Sequence, residues 1–106
     1  MKMFRQGDVL IRKVADKFET KGLKPYERDD KGRIVLAYGE VTGHAHAISN
    51  RGVEAFLFGS NLMLDVQNPV VVRHEEHDPI ILEAGKYEVI RQREATENGE
   101  WIAVAD

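Results

Sequence analysis

The chain has 106 residues, no cysteine and a formal net charge of −3, which is one domain's length and enough for a core without disulfides. A metal site would have to use nitrogen and oxygen ligands, because thiolates are excluded. The acidic excess argues against general nucleic-acid binding, and no apolar run approaches the roughly 18 residues that a membrane span needs.

Short apolar runs separated by turn residues dominate the sequence and predict β-strands, and no segment shows the 3.6-residue period of an amphipathic helix. In chain order, the predicted strands are 8–14, 33–41 with a continuation at 44–48, 53–58, 62–66, 70–73, 80–82, 86–95 and 100–105. Turns are expected at Gly59-Ser60-Asn61 and at Asn98-Gly99, the latter being a strong hairpin signal. We therefore predict one all-β domain over residues 1–106, a small β-barrel or sandwich of roughly eight short strands.

Residues 15–32 separate the first two predicted strands and contain few apolar anchors. A loop of this length inside a small domain is often a lid or a binding loop. A solvated surface excursion without function is the alternative.

The four histidines fall into two pairs, His44/His46 and His74/His77. Side chains alternate along a strand, so His44 and His46 are expected on one face, about 7 Å apart at Cα. A spacing of three would place His74 and His77 on opposite faces of a straight strand. Since Pro79 disfavours a regular strand there, a turn over 74–77 is expected to bring both rings to one side.

If the two pairs meet, four imidazoles can saturate a tetrahedral ion, or three can leave one position open. Imidazole ligands predict a divalent transition metal, zinc in the first place, with iron, nickel or copper as alternatives. Four acids lie within a few residues of the pairs and could be ligands, hydrogen-bond partners of a histidine or a general base for metal-bound water: Glu40, Glu75, Glu76 and Asp78. The first three are the candidate catalytic groups. An unmetallated histidine pocket and inert, hydrogen-bonded histidines are the other interpretations.

The segment Gly39-Glu40-Val41-Thr42-Gly43-His44-Ala45-His46 resembles the first metal motif of cupins, in which a glycine precedes HxH on a strand. Residues 79–87 resemble the proline- and glycine-marked strand entry of cupin barrels. The resemblance implies a metal-binding β-barrel. This chain lacks the glutamate that follows the HxH of cupins, and His74 and His77 precede the second signature.

Most of the chain also resembles a family of short, uncharacterised phage and bacterial proteins. The resemblance is carried by Gln6-Gly7-Asp8-Val9, by residues 39–46, by residues 74–79 and by Gln92-Arg93-Glu94. It implies no particular activity. Gly7–Ile11 and the following loop are in addition similar to a GroES-like barrel.

The sequence thus predicts a small metal-binding β-protein, with the question of enzymatic activity left open. A small-molecule ligand at the metal and a homodimer are expected, without a membrane or general nucleic-acid partner. The polar N-terminus predicts no secretory signal and a cytoplasmic location. The alternative is a non-enzymatic interaction module that contacts its partner through the 15–32 loop.

Overall fold

The computed structural model describes residues 2–39 and 43–91, together with the backbone of 93–95 and 101–103. Within these ranges the chain forms strands and loops only, so no helix there is long and apolar enough to cross a membrane. The strands are β1 (Met3–Gln6), β2 (Val9–Val14), β3 (Ile34–Tyr38), β4 (Ala45–Ile48), β5 (Val53–Phe58), β6 (Asn61–Val66), β7 (Val70–Arg73), β8 (Ile80–Leu82), β9 (Gly85–Arg91), β10 (Arg93–Ala95) and β11 (Trp101–Ala103).

Nine of these strands form two antiparallel sheets, one in the order β1-β2-β9-β6-β5 and the other in the order β3-β4-β7-β8. The strands β10 and β11 form a separate two-stranded ribbon. Alternate residues of the two larger sheets share one core: Val9 and Ile11 of β2 meet Ile48 of β4 and Val70 and Val72 of β7. This is the side-chain alternation of a β-sandwich, and the predicted all-β class is confirmed.

The strand prediction was wrong in four places. It made residues 44–48 a continuation of the strand 33–41, whereas β3 and β4 are separate strands that pair antiparallel, with the chain in a turn at Gly43. It missed β1, because residues 3–6 show no clear alternation of apolar and polar side chains. It began the next strand at Asp8, which instead lies with Gly7 in the turn between β1 and β2. It also joined β9 and β10 into one strand, whereas these belong to different sheets.

Both predicted hairpins form. β5 and β6 pair from Val53↔Val66 to Phe58↔Asn61, which leaves Gly59-Ser60 as a two-residue turn. The pairing of β10 with β11 brings Ala95 opposite Trp101, while the predicted Asn98-Gly99 turn lies outside the described residues.

The segment 15–32 forms no named strand, as predicted, and part of it runs along β5, an edge strand of the five-stranded sheet. Tyr26 donates its backbone N–H to the carbonyl of Ala55, and Leu57 donates to the carbonyl of Lys24, both at 2.8 Å. A covered edge is protected against pairing with other chains. Its role as the contact surface of an interaction module stays a prediction.

Candidate metal centre

The register of the four-stranded sheet places the histidines of β4 beside those that follow β7. These strands pair at Ile48↔Val72 and Ala47↔Arg73, so the next position in the same register sets His46 opposite His74. Ile48 and Val72 point into the core. By alternation His46 and His74 point the same way, toward the space between the sheets.

All four histidine rings come together in one cluster, which we call the histidine cluster. The ring centroids of His46 and His74 are 4.3 Å apart, and those of His74 and His77 are 4.6 Å apart. His44 lies 5.7 Å from His74, and His77 lies 5.9 Å from His46. Residues 74–79 bend between β7 and β8, and this bend brings the rings of His74 and His77 to the same side.

The His46 ring is held by a glutamine from the other sheet. Gln6 Nε2 donates to the carbonyl oxygens of Val72, at 3.1 Å, and Asp78, at 2.9 Å. The Gln6 Oε1 atom therefore faces His46 Nδ1, at 2.9 Å. Because an amide oxygen can only accept, Nδ1 carries the proton, and in the neutral ring Nε2 presents its lone pair.

The lone pair of His46 is directed at a buried carboxylate. Its Nε2 atom lies 3.4 Å from Asp8 Oδ1, and the two side chains are 0% and 4% exposed. A charge-assisted hydrogen bond between such atoms measures about 2.7–2.9 Å. Two ligands at about 2.1 Å from one tetrahedral ion lie about 3.4 Å apart. The observed distance therefore matches two ligands of a shared ion better than a direct ion pair.

His74 has the opposite arrangement of its ring nitrogens. The backbone N–H of Glu76 donates to His74 Nδ1 at 3.0 Å, so the proton of the neutral ring is on Nε2. This Nε2 atom is buried. In this tautomer His74 can donate a hydrogen bond, whereas binding an ion through Nε2 requires loss of that proton.

Two of the three predicted catalytic acids are described by the structure, and they make different contacts. Glu75 Oε1 accepts the backbone N–H of Ala45 at 2.9 Å, and this bond lowers the pKa of Glu75 below its ordinary range, with smaller contributions from His44 and His74. Glu76 Oε1 lies 3.5 Å from His44 Nδ1, on a side chain that is 58% exposed. Glu40 lies outside the described residues.

A second possible ligand set lies at the exposed side of the histidine cluster. One donor atom from each of His44, His74 and Glu75 lies within 4.8 Å of the other two. Two of these three residues already use acceptor atoms for backbone N–H groups, at His74 Nδ1 and Glu75 Oε1. This set therefore has fewer lone pairs available to bind an ion than the pair of His46 and Asp8.

Sequence reasoning missed Gln6 and Asp8 as parts of the site. The residues Gly7-Asp8 form a two-residue hairpin turn, since Gln6 pairs with Val9. Gly7 has a φ of 58°, as expected for glycine at the first central position of a type II′ turn. That Gly-Asp dipeptide was the local signal available, and it would have placed Asp8 in a turn.

Comparison with known proteins identifies the chain as a member of the family described as domain of unknown function DUF8820, which matches residues 5–92. No curated protein and no solved structure matches the chain. The matched segment contains Gln6, Asp8 and all four histidines. The expected membership of an uncharacterised family is confirmed, and the finer likenesses to cupins and to phage proteins stay predictions.

Proposed function

We propose that this protein binds one divalent transition-metal ion in the histidine cluster, with His46 and Asp8 as its anchoring ligands. The observation that carries the proposal is the buried 3.4 Å separation between His46 Nε2 and Asp8 Oδ1. Gln6 supports it by orienting the His46 ring, as the hydrogen-bond partners of metal-bound histidines commonly do.

We assign His77 and His44 as the remaining imidazole ligands. His77 lies with its ring nearly parallel to that of His46, at an interplanar angle of 17°. His44 is partly open to solvent, with a side chain that is 23% exposed. His74 is the least suited of the four, because its Nδ1 atom accepts a backbone N–H. We therefore assign His74 the role of a hydrogen-bond donor within the site.

The donor set narrows the choice of metal. Imidazole and carboxylate ligands suit zinc, iron, nickel and copper, whereas magnesium and calcium prefer oxygen alone. Zinc accepts tetrahedral sites of this mixed composition. Two histidines and one carboxylate are also the ligands of many non-haem iron sites. Zinc is the metal we propose, and elemental analysis distinguishes it from iron.

Glu75 and Glu76 lie where they can act on a molecule bound to the ion from the solvent side. Glu75 is fixed by the Ala45 N–H, and Glu76 approaches His44. General-base activation of metal-bound water by one of them remains a prediction that follows only if the metal binds.

The test is elemental analysis of protein made without a histidine tag, after chelation and reloading with zinc, iron, nickel or copper in turn. We expect about one ion per chain in the wild type, and its loss in His46→Ala. Circular dichroism establishes that the variant is folded. Because every histidine of the chain lies in the cluster, the control is Gln67→Ala, at an exposed position directly after β6.

Wild-type protein that retains none of the four metals would contradict the proposal, as would a folded His46→Ala variant that still binds one ion. Bound metal should also raise the midpoint of thermal unfolding, because a ligand that binds only the folded state stabilises it. That rise should be absent in His46→Ala and present in Gln67→Ala.

A further inference from the structure

A cavity of about 350 Å³ lies against the histidine cluster. His74 and His77 form one side of it, and Ala45 and Ala47 form its floor. These alanines lie on the face of β4 opposite to His46, because side chains alternate along a strand. The cavity therefore reaches the cluster from outside the core.

The described charged residues that line this cavity are two arginines and one glutamate. Arg33 and Arg73 line it, against Glu75 as the acid among its described lining residues. Arg33 is bound to Asp29, with Nη2 and Nε at 2.9 and 3.0 Å from Oδ2. Arg73 is exposed and forms no ion pair with any described acid, so its guanidinium is available to a ligand.

The size and floor of the cavity suit an organic molecule. Small-molecule sites commonly measure about 300–1,000 Å³, and this cavity lies at the lower end of that range. The side chains of Ala45 and Ala47 present methyl groups, and both residues are nearly buried, at 3% and 6% exposure. Pro79 adds a further apolar surface. Such a floor can contact a carbon skeleton of a few atoms.

We propose that this cavity binds a small organic carboxylate, with its carboxylate group on Arg73 and its carbon skeleton on Ala45 and Ala47. A guanidinium binds a carboxylate through two parallel N–H donors, which an ammonium cannot provide in the same geometry. The metal ion that we propose in the histidine cluster is a second point of attachment for this ligand. Only this second contact rests on the proposed function.

The probe is malonate, titrated by isothermal calorimetry into zinc-loaded and metal-free protein. Malonamide, which has the same skeleton without charge, is the ligand control. We expect malonate to bind and malonamide not to bind. Arg73→Met should weaken malonate binding about tenfold or more, the usual effect of losing a charge-assisted hydrogen bond. Arg51→Met, an equal change at an exposed arginine outside the cavity, should leave it unchanged.

Three results would overturn the inference: no malonate binding in either form, equal binding to wild type and Arg73→Met, or inorganic phosphate binding as tightly as malonate. The last would show that the carbon skeleton contributes nothing. The metal content of each sample is measured separately. If metal-free protein binds malonate through Arg73, the carboxylate site in the cavity is supported even if the protein proves to bind no metal. If zinc-loaded protein does not bind malonate, the carboxylate site is refuted, while the metal site is unaffected.

Discussion

Among the residues that the structure describes, polar side chains are buried in two places, and the two differ in how their charges are matched. On the five-stranded sheet, Glu88 receives Arg12 Nη2 on one oxygen at 2.5 Å and Asn61 Nδ2 on the other at 3.1 Å. At this position Arg12 matches the charge of Glu88, and Asn61 supplies the second hydrogen bond. In the histidine cluster, four imidazole rings lie together, and the buried carboxylate of Asp8 lies 3.4 Å from one of them, that of His46.

This difference separates a structural network from a candidate binding site. Buried polar groups persist when their hydrogen bonds are satisfied, and the contacts of Glu88 satisfy both of its oxygens without any further component. A neutral imidazole has one donor and one acceptor nitrogen, and an ion that accepts the lone pairs of several such rings stabilises their close approach. The comparison predicts that changes in the cluster alter metal binding and that changes around Glu88 alter stability.

The largest effect is expected from Asp8→Asn, which keeps the size of the side chain and removes its charge. Zinc affinity should fall by more than the roughly 10- to 100-fold that is typical of losing an outer-shell partner. Competition with a chromophoric chelator measures it. Asp65→Asn on β6 is the matched control, and a loss of equal size there would remove Asp8 from the site.

A smaller loss is expected from Gln6→Leu, because Gln6 orients His46 and does not itself bind the ion. Zinc affinity should fall about 10- to 100-fold. The free energy of unfolding of the metal-free protein should also fall by about 1–3 kcal/mol, because the carbonyls of Val72 and Asp78 lose a buried donor. Gln67→Leu, at an exposed position, should change neither quantity. Unaltered zinc affinity in Gln6→Leu would show that the His46 ring needs no such support.

Arg12→Met is expected to lower stability and to leave zinc binding unchanged. Glu88 would lose its cation inside the sheet, and urea unfolding should show a loss of about 1–2 kcal/mol, a value reduced because the Arg12 side chain is 37% exposed. Zinc stoichiometry and affinity should stay at wild-type values. If this variant also lost zinc, the two polar clusters would not be independent.

The smallest effect concerns Asp29, which belongs to neither cluster. The backbone N–H of Arg33 lowers the pKa of this carboxyl below its ordinary value, with further help from the Arg33 side chain. A carboxyl whose pKa is lower in the folded state stabilises the protein above the pKa of the unfolded state, and this stabilisation is lost as the pH falls through the folded value.

Asp29→Asn should therefore be slightly less stable than wild type at pH 7, and the difference should vanish in acid below the folded pKa. Urea midpoints at pH 7 and at low pH measure this for both proteins. A difference that persists or grows in acid would show that the carboxylate charge is not responsible. Zinc binding at pH 7 should be the same in both.

Much of the fold followed from local patterns. The strands β5 to β8 and the β5–β6 hairpin were predicted within a residue or two, because the alternation of apolar side chains and the turn residues lie in adjacent positions. The same periodicity predicted that His44 and His46 share a face. By contrast, β1 was missed and β9 was joined to β10, because neither boundary is marked by a change in local pattern.

The sequence by itself determined which residue types could bind a metal: with no cysteine in the chain, the histidine pairs were its only concentrated set of nitrogen ligands. Only the tertiary structure decided that the pairs meet and what stands beside them. The register between β4 and β7 sets His46 opposite His74, and the β1–β2 turn carries Gln6 and Asp8 to a site whose other members lie at least 36 positions further along the chain. Contacts of that sequence separation depend on how whole sheets pair and pack, which no local periodicity encodes.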